Sequence, residues 1–76
     1  MAVFSIAALA ADPVDINTAS AEELTALANV GASRAQAIVE YREQEGDFPS
    51  VSALVNVSGI GPATLEQNRD RLTVME

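Results

Sequence analysis

Twice in 76 residues a hydrophobic residue is followed by glycine just ahead of a helix-forming run, at Val30-Gly31 and at Gly59-Ile60-Gly61. Glycine at such a turn permits positive φ and leaves no side chain between the backbone and an approaching group. The first amides of the following helix lack intrahelical acceptors, and the helix dipole is positive there, so an oxygen anion is favoured. Phosphate suits such a turn. In the second turn the donors are the amides of Gly61, Ala63 and Thr64; Pro62 offers no proton, and the Thr64 hydroxyl adds a neutral hydrogen bond.

Other chemistry is poorly supplied. The chain has no cysteine and no histidine, which removes thiolate metal sites, disulfides, the commonest general base and the commonest metal ligand. No nucleophile–base pair or metal cluster is visible, so neither an enzyme nor a cofactor is expected. Glu22, Glu23, Glu40, Glu43 and Glu45 fall on periodic positions that read as solvated helix faces. Eleven acidic residues against four arginines give a net charge of −7, the wrong sign for a strong polyanion binder. Any nucleic-acid function must survive that sign.

The elements that would hold these turns are short helices. Ser20 followed by Glu23 forms a capping box, so helix one begins at Ala21, with Leu24, Leu27 and Ala28 as its apolar stripe. A second helix is predicted from about Ser33 to Glu45, with Ala35, Ile38 and Val39 inward and Gly46 as a left-handed stop. Asp47-Phe48-Pro49 connects it to a third short helix, capped by Ser50 and carrying Ala53 and Leu54. Pro62 suits the first turn of a fourth helix bearing Leu65 and Leu72, with Asn68 between them. The fold class is all-α, four to five short helices over residues 11–76, with no appreciable sheet.

Shifted by 30 residues, the chain repeats itself. Ser20 falls on Ser50, Leu24 on Leu54, Leu27 on Val57, Val30 on Ile60 and Gly31 on Gly61. Each copy of helix, tight turn, helix is too thin to enclose a core alone. Packed together about a pseudo-two-fold axis they bury their stripes against each other, with Phe48 and Ile16 plugging the ends.

The run from Val14 to Val74 resembles the DNA-binding domain of ComEA-type competence receptors, a tandem helix-hairpin-helix fold. Val14-Asp15-Ile16-Asn17-Thr18-Ala19 is similar to its opening motif, Ile38-Val39-Glu40-Tyr41-Arg42 to its second helix, Asp47-Phe48 to its connector anchor, and Val57-Ser58-Gly59-Ile60-Gly61 to its second hairpin. The resemblance implies weak binding to DNA backbone without base readout, in DNA uptake alongside other proteins of an uptake machinery. It implies a phosphate-holding set of Asn29, Val30, Gly31, Ser33 and Arg34 in the first hairpin, and Gly59, Ile60, Gly61, Ala63 and Thr64 in the second. Arg34 sits where members of the family often carry a phosphate-contacting cation. Asn29 departs from the pattern, standing where the first glycine belongs; asparagine enters the left-handed region more readily than most residues, but its side chain stands in the way of a docked strand. The same fold resembles the extrinsic U subunit of photosystem II, a protein-binding relative. A second function therefore stays open, an acidic protein-interaction module in which the hairpins are only structural.

The remaining arginines have plain readings. Arg42 is expected on a helix surface with its stem near Tyr41, and Arg69 and Arg71 either complement a helix C-terminus or flank the second hairpin. Met1 to Ala10 carries no charge and ends in Ala8-Leu9-Ala10, the small-x-small pattern of a signal-peptidase site. This run is too short to span a membrane, since a spanning helix needs about 20 apolar residues. It reads as the tail of a secretory signal, with a mature, periplasmic or otherwise extracytoplasmic domain starting near Ala11; the alternative is the weakly packed N-terminus of a cytosolic protein.

Overall fold

The structure, a computed structural model, describes residues 13–74. The predicted signal remnant, Met1 to Ala10, lies outside the described residues. Strand β1 (Val14–Asp15) leads into a tight turn in which the Asp15 carboxylate accepts from the Asn17 amide at 2.9 Å and the Asp15 carbonyl accepts from the amides of Thr18 and Ala19. An aspartate that bonds the backbone two residues on is a turn-maker in its own right. Helix α1 (Ala21–Leu24) starts with both halves of the capping box in place: Glu23 N–H donates to Ser20 Oγ and Ser20 N–H to Glu23 Oε1.

Helix α2 (Ala32–Glu45) is the long element, and it buries Ala35 and Ile38 with Val39 half-buried. Its stop, Gly46, has φ 93° and ψ 179°. That is a positive-φ glycine as predicted, but with extended ψ in place of the left-handed helical value. The third helical element, Val51–Asn56, is a 3-10 helix, and Ser50 makes no side-chain cap there. Helix α3 (Pro62–Asn68) opens on Pro62 and ends at Asn68, where a 3-10 turn (Arg69–Arg71) hands over to strand β2 (Leu72–Thr73).

Two sequence expectations need correction here. Leu72 is not on the fourth helix; it lies in β2, paired in parallel with Val14 of β1, while Thr73 pairs with Asp15. Ile16 N–H extends the ladder to the Thr73 carbonyl at 3.1 Å. This two-stranded sheet ties the ends of the described chain together, and a pairing across 58 residues leaves no local period in the sequence. Helix α1 ends at Leu24, so buried Leu27 lies in the turn that follows it and Ala28 is exposed instead of completing the helix stripe.

The core is continuous across the two repeats. Leu24, Leu27, Val30 and Ala35 are buried, as are Leu54, Val57, Ile60 and Leu65 at the positions 30 residues on. Phe48 and Ile16 are fully enclosed, and the Phe48 ring stacks on Tyr41 with centroids 5.1 Å apart. Two asparagines close the structure around this core. Asn17 Nδ2 donates to the Phe48 carbonyl at 3.1 Å while its Oδ1 accepts from Phe48 N–H at 2.7 Å. Asn68, 2% exposed, does the same to Ala28, accepting at 2.8 Å and donating at 2.9 Å, and gives its other amide proton to the Thr64 carbonyl.

Candidate nucleic-acid interface

The 30-residue repeat is a repeat of hydrogen bonds as well as of side chains. Leu27 N–H donates to Leu24 O and Val57 N–H to Leu54 O; Val30 N–H donates to Leu27 O and Ile60 N–H to Val57 O. Each hairpin then enters its helix through the same first bond, Ala35 N–H to Gly31 O and Leu65 N–H to Gly61 O. Backbone built to one pattern presents one pattern of unspent donors. The amides of Ser33 and Arg34 in the first hairpin, and of Ala63 and Thr64 in the second, have no backbone or side-chain acceptor among the described residues.

The torsions reassign the glycines. Positive φ occurs at Asn29 (63°) and Gly59 (94°), residues that stand 30 apart. Asn29 therefore takes the left-handed conformation expected of it. Gly31 and Gly61 do not need glycine for torsion: at φ −87° and −101° both are extended N-caps. What their missing side chain provides is room, since a Cβ at either would meet no atom of the chain within 4 Å. Val30 and Ile60 are buried beneath the turns as apolar anchors, so their side chains cannot face a ligand. Ser33, Ala63 and the two turn residues Asn29 and Gly59 are exposed, Thr64 half-buried.

All ten sequence-predicted residues thus lie in the two turns and the first turns of the helices that follow. Between them runs a groove of about 480 Å³ lined by Ser33, Arg34, Ala37, Ser58 and Gly59. Arg34 bridges that groove, donating from Nε to the Gly59 carbonyl at 2.8 Å and from Nη1 to the Asn29 carbonyl at 3.4 Å. Asn29 Nδ2 donates to Gln67 Oε1 on α3 at 2.6 Å. Sequence reasoning missed Gln67 and both asparagine clasps. For Asn68 a signal existed: it occupies the position 30 after buried Ile38, and a polar residue at an apolar repeat position must find hydrogen bonds inside.

The other cations are already engaged. Arg42 is no free surface residue: its Nη1 donates to the Ile16 carbonyl at 3.0 Å. Arg69 forms a salt bridge with Glu66 at 2.9 Å, and Arg71 reaches the Ala26 carbonyl at 3.3 Å. The five helix-face glutamates are exposed as expected, and among the described residues no three carboxylates come together. No described helix is long and apolar enough to cross a membrane.

Comparison with known proteins agrees with this geometry. The chain is 50% identical over 66 residues to an uncharacterized protein of Haemophilus influenzae, covering 86% of this chain and 59% of that one. It is 44% identical over 61 residues to ComE operon protein 1 of Bacillus subtilis, covering 80% of this chain and 30% of that protein. A third relative is human endonuclease/exonuclease/phosphatase family domain-containing protein 1, 46% identical over 61 residues, which make up 11% of its length. The chain thus spans only part of these three relatives, 59%, 30% and 11% of their lengths. The family model of the helix-hairpin-helix motif matches residues 10–73, and with the two hairpins described above this chain belongs to that family.

Proposed function

We propose that the chain is a module that holds DNA by its phosphate backbone without reading base sequence. The observation that carries this is the pair of matched hairpins, each with an extended, unobstructed glycine N-cap followed by helix-start amides that have no acceptor among the described residues. Ser33 and Arg34 amides take one phosphate; Ala63 and Thr64 amides, with the Thr64 hydroxyl, take another. Gly31 and Gly61 let the strand approach, Val30 and Ile60 anchor the turns from below, and Asn29 and Gly59 set their direction. The role is binding without catalysis, and the chemistry needs no cofactor.

The similarity to ComE operon protein 1 and the motifs shared with competence receptors support a place in DNA uptake, beside other proteins of that machinery. The Ala8-Leu9-Ala10 pattern supports an extracytoplasmic site of action. One observation favours a second function, docking onto another protein: the charge is −7 and all four arginines are held by acceptors of the chain itself. Gel-shift titration at low and high salt with two unrelated duplexes separates the two. A DNA module retards both duplexes equally at low salt and loses both as salt rises. Folded protein at high concentration that retards neither refutes the proposal in favour of its rival.

A further inference from the structure

Two polar links tie the hairpins to each other's repeat, and they are not copies of one another. Arg34, in the first turn of α2, spans to the Gly59 carbonyl of the second hairpin. The 30-residue shift carries Arg34 onto Thr64 and Gly59 onto Asn29, and a threonine has no comparable reach. In its place Gln67, one helical turn beyond Thr64, accepts from the Asn29 side chain at 2.6 Å. A glycine at position 29 would offer Gln67 nothing. The departure from glycine therefore puts a side chain where the second link needs one, while φ of 63° keeps the turn.

We propose that Arg34–Gly59 and Asn29–Gln67 are struts that hold the two hairpins at one separation, so that both engage the same backbone as a unit. Asn29 and Gln67 act here as positioning residues through their side chains. The consequence for affinity rests on the DNA-binding function above; the strut geometry does not. Two linked sites gain over one only when their spacing matches the ligand. A lock that raises the matching fraction of molecules raises apparent affinity by the same factor. One neutral hydrogen bond biases such a population by about 2- to 10-fold.

The test compares wild type with Gln67→Ala, Asn29→Gly and their double variant, by duplex titration at several salt concentrations and by amide NMR spectra without DNA. All three variants keep every charge, and Asn29→Gly keeps a residue suited to positive φ. Gln67→Ala and Asn29→Gly should each weaken duplex binding about 2- to 10-fold with the salt slope unchanged. The double variant should be no worse than either, because both remove the same link. In the spectra, Gln67→Ala should shift the amides of residues 29–34 in the opposite repeat. Asn29→Gly binding as tightly as wild type, or additive losses in the double variant, overturns the proposal. Should wild type bind no DNA at all, the DNA function falls and the spectra alone decide the struts: unchanged amides over residues 29–34 overturn them, shifted amides uphold them.

Discussion

Asn17 and Asn68 do with side-chain amides what a neighbouring strand does with its backbone, clasping the N–H and the C=O of one residue, Phe48 for Asn17 and Ala28 for Asn68. Asn68 carries the heavier duty, because it is buried and makes three bonds across 40 residues and back to Thr64. Asn68→Ala would leave the Ala28 donor and acceptor without partners, at a cost of about 2–3 kcal/mol. Against a total of about 0.05–0.15 kcal/mol per residue that is a large share, and urea denaturation should show it as a lower midpoint with the slope unchanged. The glycines of the proposed phosphate sites should respond in the opposite way. Gly31→Val and Gly61→Val place a side chain in open space at an extended φ, so the fold should hold, with a change within about 0.5 kcal/mol. Duplex retention should fall sharply nonetheless, because the new methyls stand where the strand approaches. A Gly61→Val protein that melts well below wild type, or binds DNA unchanged, would contradict this assignment. Read from the sequence, both properties attach to the same glycines; the structure separates them, with room at Gly31 and Gly61 and positive φ at Asn29 and Gly59.

At the scale of elements, what could be read from the chain is what local chemistry decides. Ser20 and Ser50 occupy the same place in the repeat, yet only Ser20 caps with its side chain. Three residues after Ser20 stands Glu23, which returns a hydrogen bond; three after Ser50 stands Ala53, which cannot. The capping box was therefore legible in full at one site, and the lone serine at the other promised more than it delivers. The β1–β2 pairing depends on contacts far along the chain, and periodicity carries no trace of it or of the 3-10 winding of Val51–Asn56. Ser20→Ala should accordingly cost about 1 kcal/mol, while Ser50→Ala should be nearly silent. Gly46 offers a sharper contrast. Its φ of 93° with ψ of 179° lies in a region that is essentially reserved to glycine, so Gly46→Ala should cost about 1–3 kcal/mol although its Cβ would touch nothing. Thermal melts of these three variants against wild type check the order Gly46→Ala, Ser20→Ala, Ser50→Ala.

At the scale of the whole molecule the question is how a chain of charge −7 would hold the polyanion proposed as its partner. Backbone amides at helix starts carry partial positive charge and release few counterions of their own, so the salt dependence of binding counts the cations that reach phosphate. Four arginines bound the slope of log affinity against log salt at about −3.6 for one chain on duplex DNA. The structure narrows that bound. Arg69 is neutralised by Glu66, and Arg42 lies eight residues along α2 from Arg34, about 12 Å further down the axis, with its guanidinium on Ile16. Arg34, between the hairpins, and Arg71, near Ala26, are left as the contributors. The expected slope is then about −0.9 to −1.8, and Arg34→Ala should make it shallower by about 0.9 on any sequence. Affinity should fall further than the lost charge alone accounts for, since the same substitution removes the bridge to Gly59; Arg34→Lys separates the two effects by restoring the slope without the paired carbonyl bonds. A measured slope steeper than about −3.6 cannot come from one chain, and would mean that several copies sit side by side on the duplex and bind through avidity.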